Sequence, residues 1–103
     1  MRLHQIAHCR TGDKGNISNI SVIVYDRVDY DLLRTTLTSQ QVAMRFANIA
    51  SGPVERYELP QLGALNFVLH NALGGGVTRS LALDAHGKCL ASAMLDIEIP
   101  DFR

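Results

Sequence analysis

Two short loops of the same chemistry punctuate this chain, Gly12-Asp13-Lys14-Gly15 and Asp84-Ala85-His86-Gly87, and both end in glycine between runs that can be strands. A type I turn followed by a glycine in the left-handed region joins antiparallel strands in this way. The chain is therefore expected to open and close on hairpins. The first pairs Leu3 to Cys9 with Ile17 to Tyr25, and the second pairs Val77 to Leu83 with Cys89 to Ile99. In the last of these segments Cys89, Ala91, Ala93, Leu95, Ile97 and Ile99 share one face at period two. Leu90, Met94 and Ile97 also fit a helical spacing, so a helix from Lys88 to Leu95 competes with the strand.

Helices are expected between the hairpins. A short one covers Asp29 to Leu37. The next begins at Thr38, where Thr38 and Gln41 form a capping box and Leu37 with Val42 makes the hydrophobic staple around it. Val42, Phe46 and Ile49 lie on one face of this helix, and Gly52-Pro53 stops it. Val54 to Leu59 reads as a short strand. Pro60, a favoured first-turn residue, opens a third helix that runs to Leu73 and ends at Gly74-Gly75-Gly76. The sum is a single α+β domain over residues 1–103, ordered β-β-α-α-β-α-β-β, with helices on one face of a mainly antiparallel sheet.

On that third helix Leu62, Leu65, Leu69 and Leu73 centre the core face, while Gly63, Asn66 and His70 form a polar wedge. Phe67 then lies well round from the core stripe, which makes it a candidate interface residue for a second subunit or a partner chain.

Composition narrows the function classes. Nearly half the 103 residues are hydrophobic, and ten basic residues balance ten acidic ones for a formal net charge of zero. A nucleic-acid binder carries a basic excess or stripe, and none is present. No apolar stretch reaches membrane-spanning length. The alternating, His-bearing start from Met1 to Arg10 is unlike a signal peptide. Two cysteines make no disulfide framework and suit a reducing cytoplasm. No metal or other cofactor is expected. His4 and His8 share a strand face but stand roughly 13 Å apart on it, and no Cys-x-x-Cys or His-x-x-x-His pair exists. Cys9 beside His8 puts nucleophile and base on opposite strand faces, the wrong geometry for covalent catalysis.

The segments Arg10-Thr11-Gly12-Asp13-Lys14-Gly15-Asn16 and Arg56 to Arg79 resemble the small ferredoxin-fold domain of the AtuA-like (acyclic terpene utilisation) proteins. The resemblance extends from Arg10 to Ile99. It implies a ferredoxin-like two-layer sandwich and a metabolic setting of acyclic terpene or branched acyl catabolism type. In many relatives this module looks like the C-terminal part of a longer chain, so a larger AtuA-like subunit is an expected partner, alongside a homo-oligomer. The resemblance carries no catalytic residue set onto this chain.

Two functional readings follow. In the first the domain is a non-catalytic subunit or interaction module. In the second it is a small enzyme or sensor for an anionic carboxylate or acyl-thioester metabolite. There Arg10, Lys14 and Arg79 would hold charge, Asp13 would order the loop, and Asn16 is a further candidate ligand-binding residue. Asn66 and His70 would act on the reacting group. The bland reading of the same residues is a hairpin turn with solvated Asp13 and Lys14, and an Asn66–His70 pair that satisfies loop backbone. The second functional reading requires Arg10 to lie within a side chain's reach of Asn66 and His70.

Overall fold

The computed structural model describes residues 1–14, 17–47, 52–70 and 87–100. After a 3-10 turn at Leu3–Gln5 come strands β1 (Ala7–Lys14) and β2 (Ile17–Val24), then helices α1 (Tyr30–Thr36) and α2 (Ser39–Arg45). Strands β3 (Val54–Leu59) and β4 (Ala64–Leu69) follow, joined by a 3-10 turn at Pro60–Leu62, and helix α3 (Gly87–Leu95) comes last. The sheet has the order β1-β2-β4-β3 and every neighbouring pair is antiparallel. The α+β architecture and the antiparallel sheet agree with the sequence reading.

Several elements form as their residues dictate. Thr38 caps α2 as expected: its hydroxyl accepts from the Gln41 N–H at 3.2 Å, and the Gln41 carboxamide accepts from the Thr38 N–H at 3.0 Å. The staple residues Leu37 and Val42 are both fully buried. β3 has the expected bounds, and β1 and β2 form the expected hairpin with Lys14 opposite Ile17.

β1 starts later than expected, at Ala7, and runs straight through Gly12 and Asp13 to Lys14. Its expected first residues are diverted because the chain start pairs with the other end. The Leu3 N–H donates to the Ile97 carbonyl at 2.9 Å, and Arg2 bridges Glu98.

The expected third helix is instead a 3-10 turn and strand β4. Gly63 adopts φ 61°, a left-handed conformation that ends the turn after Leu62. A side chain there is also blocked by space, since a Cβ would meet Val24 Cγ2 at 3.1 Å and Arg27 Cδ at 3.2 Å. Beyond it, Leu65, Phe67 and Leu69 are equally well read as alternation at period two, and β2 and β3 supply hydrogen-bonding partners on both sides. Short apolar runs carry this ambiguity because helix and strand spacings coincide on them. The pairing decides.

The segment expected as the last strand is α3, the competing reading of that stretch. Lys88 to Leu95 contains no β-branched residue, and Ala, Leu, Met and Lys all favour a helix. Met94 of α3 is fully buried. The expected strand at Val77 to Leu83 and the glycines 74–76 lie outside the described residues.

The three described helices contribute to one core. Leu33 of α1, Val42 of α2, Phe46 at its end and Met94 of α3 join Ile20 and Val22 of β2 with Leu65, Phe67 and Leu69 of β4. Register puts these strand residues on the same side: Val22 faces Leu65 and Ile20 faces Phe67. Phe67 is thus a core residue with 0% exposure, which overturns its assignment to an outward interface. It fell outside the core stripe only on a helical projection.

Candidate functional site

The residues of alternate parity form the other face of the sheet, which no described element covers. One row across it runs Arg10, Ser21, Asn66, Tyr57 through strands β1, β2, β4 and β3. The row on one side is His8, Ile23, Ala64, Leu59, and on the other Gly12, Asn19, Val68, Glu55. With neighbouring strands about 4.8 Å apart, Arg10 and Asn66 sit roughly 10 Å apart at their Cα atoms, within reach of an arginine side chain. The sheet brings these two together although 56 positions of sequence separate them.

The polar groups of this face fall into two sets. In the centre, the Ser21 hydroxyl donates to Asn66 Oδ1 at 3.1 Å. Toward the β3 edge, Glu55 receives the Tyr57 hydroxyl at 3.1 Å and contacts His70 Nε2 at 2.6 Å. These bonds, that from His70 first, hold the Glu55 carboxyl below its ordinary range, and the same contact to Glu55 pushes the Tyr57 phenol up. His70 follows directly on β4 and is pinned by backbone: its N–H donates to the Pro53 carbonyl, and its own carbonyl accepts from Gly52 at 3.0 Å. Gly52 is required here, since a Cβ would stand 2.7 Å from the His70 oxygen.

Asn66 and His70 therefore share a face, as expected, but through strand parity. Four strand residues separate them by roughly 13 Å, so they cannot act on one atom in the way a helical i,i+4 pair could. His70 works with Glu55 and Asn66 with Ser21. Asp13 and Lys14 occupy the last two positions of β1, opposite Ser18 and Ile17. Asn16 and Arg79 lie outside the described residues. Sequence reading missed Ser21, Tyr57 and Glu55 as site neighbours. The signal was present in the alternation of β2 and β3, but without β4 as the strand between them nothing connected it.

Arg10 has no hydrogen-bond or ion-pair partner among the described residues, and it is the only described arginine of which that is true. Arg2 pairs with Asp96, Arg34 with Asp31, and Arg45 with both Asp96 and the Ala93 carbonyl. Arg27 donates to the Gln61 carbonyl, and Arg56 to the Leu37 carbonyl and to Glu58. Beside Arg10 lies a hollow of about 320 Å³ lined by Arg10, Ser21, Ile23, Leu59, Leu62 and Ala64.

Cys9 points to the helix-covered side, and burial pushes its thiol up to about 12. A thiolate nucleophile needs the opposite shift. No group of three or more His, Cys, Asp or Glu residues suited to a metal ion occurs among the described residues, and none of the described helices is long and apolar enough to cross a membrane.

Comparison with curated proteins and with solved structures finds no match. The family model for the AtuA ferredoxin-like domain, by contrast, matches residues 1–100. That span takes in the Arg10 signature, all four strands and α3, and the chain belongs to the AtuA ferredoxin-like domain family.

Proposed function

We propose that this chain is a binding module without chemistry of its own, an interaction subunit of an AtuA-like assembly. Its setting is the reducing cytoplasm, in catabolism of acyclic terpene or branched acyl type. The observation that carries the reading is the sheet face that no described element covers. Ile17 is 39% exposed there, Tyr57 47% and Leu59 37%, and Leu62 and Tyr25 stand at its rim at 64% and 68%. Exposed apolar residues at both ends of a sheet face with a polar middle are compatible with a polar-rimmed or mixed interface, and small α+β sheets with one open face pair there. Phe67 no longer supports this reading; the open face replaces it.

The test is a tagged purification from native cells with the mass of every retained chain, joined to light scattering of the purified protein. A stoichiometric larger AtuA-like chain, or a second copy, is expected to be retained, and Tyr25→Asp to weaken it. A monomer that retains nothing, identical with and without that change, overturns the reading. Phe67→Asp is unsuited to this purpose, because it places a charge in the core.

A second reading, a sensor for an anionic metabolite, is favoured by one observation: Arg10, without a partner among the described residues, stands within reach of Asn66. As an enzyme acting through His70 the reading fails its condition, because two strands and four residues put His70 roughly 16 Å from Arg10. His70, by contrast, is occupied by Glu55.

A further inference from the structure

We infer that the hollow beside Arg10 is a binding site for a small monocarboxylate carrying an apolar tail. The inference rests on the second reading and deepens it by naming the ligand chemistry. The hollow lies on the same open face, so a chain docked there would compete with the ligand for Leu59 and Leu62.

The cation comes first. Arg10 stands in the middle of an edge strand, opposite Ser21. An arginine carries five N–H donors in a planar fork that matches a carboxylate, and the other described arginines all have acceptors in the fold. The nearest carboxylate of this face, Glu55, belongs to the opposite edge strand and is held by Tyr57 and His70. Charge is thus separated across the sheet, positive at β1 and negative at β3.

A second donor belongs to the adjoining strand of the same row. Ser21 donates to the Asn66 carboxamide oxygen, which fixes the amide and leaves its N–H₂ end without an acceptor among the described residues. A carboxylate above Ser21 takes the Arg10 guanidinium, while the Asn66 amide stands one strand further on, next to the hollow's lining and not part of it.

The adjoining row sets the rest of the ligand. Ile23, Ala64 and Leu59 lie side by side on β2, β4 and β3, and Leu62 of the 3-10 turn forms a wall. These are apolar, and exposed Leu59 and Leu62 gain by being covered. A second anionic group would lie over the apolar part of this row, whose fourth member, His8, is stacked on Tyr25 at its far end, so a single carboxylate fits better than two. A neutral hydrocarbon would leave Arg10 unused. The volume of about 320 Å³ is at the small end of ligand pockets, which suits a short tail.

The test uses the full 103-residue chain, titrated with hexanoate and followed residue by residue through its backbone amide resonances. Saturable shifts centred on Arg10, Ser21, Ile23 and Ala64 are expected. Hexanamide, which keeps the tail and loses the charge, should bind at least tenfold more weakly. Acetate, which keeps the charge and loses the tail, should do the same; it also stands for the bare acidic side chain of a protein. Arg10→Met should weaken hexanoate at least tenfold, and so should Leu62→Asp, at an exposed position outside the core. Equal binding of hexanoate with hexanamide or with acetate overturns the inference. Undiminished binding by either variant, or no saturable shift up to about 20 mM, does the same. Either failure leaves the docking reading untouched, because that reading is decided by association state.

Discussion

Arg56 is the side chain whose removal the structure prices most directly, and it lies on the helix-covered side of the sheet, away from the Arg10 hollow. From β3 its guanidinium donates to the Leu37 carbonyl at 3.0 Å, to the Arg34 carbonyl, and to Glu58 at 3.1 Å. The two carbonyls belong to the last turn of α1, whose end has no following turn to satisfy them. A cation there also opposes the negative end of the helix dipole. Arg56→Met keeps much of the apolar stem and removes all three contacts. Hydrogen bonds to a charged group contribute about 1.5–3 kcal/mol each when desolvated. The side chain is 20% exposed and water can reach part of the freed turn, so about 2 kcal/mol in total is the working figure. At about 2.1 cal/mol/K of unfolding entropy per residue over 103 residues, that lowers Tm by about 9 °C. Thermal unfolding followed by circular dichroism reads it directly. Arg56→Lys should recover less than half, because a point charge cannot fork onto two carbonyls. A fall under about 2 °C for Arg56→Met, or full recovery by lysine, would refute the capping account.

Two further outcomes depend on pH. Cys9, with its thiol pushed to about 12 by burial, should resist alkylation at pH 8: about one molecule in ten thousand carries the thiolate there. Peptide mapping after iodoacetamide checks this, and labelling of Cys9 in native protein as fast as in urea would contradict it. The raised value also means that the fold favours the neutral thiol. That contribution is complete below the unfolded thiol's pKa and is lost as pH climbs through about 12. Glu55 runs the other way, because its folded pKa is depressed by His70 and Tyr57. Its contribution is present above the ordinary carboxylate pKa and lost as pH falls through the depressed value. Glu55→Gln should therefore be less stable than the native chain above the ordinary carboxylate range, with the difference shrinking as pH falls through it, as urea midpoints would show. An offset that stays constant with pH would assign the effect to packing.

Much of the fold is local enough to read from the residues. The Thr38–Gln41 box, the Leu37–Val42 staple and the bounds of β3 each depend on a few neighbouring side chains. The candidate site was legible in part. Arg10 and Asn66 could be named, but their meeting required β2 to lie between them.

What the sequence determined by itself was the class of object: an α+β fold of balanced charge, with a hairpin at its start and a family signature around Arg10. Tertiary structure decided between helix and strand at two places. At Ala64–Leu69 the apolar spacing satisfies both, and unpaired backbone on β2 and β3 draws the segment into the sheet. At Gly87–Leu95 the same ambiguity resolves as a helix, seating Met94 in the core. Those two choices turned Phe67 inward and placed Asn66 beside Ser21, one strand from Arg10. A side chain's face is set by the period of its backbone, and along a short apolar run only the partner strands fix that period.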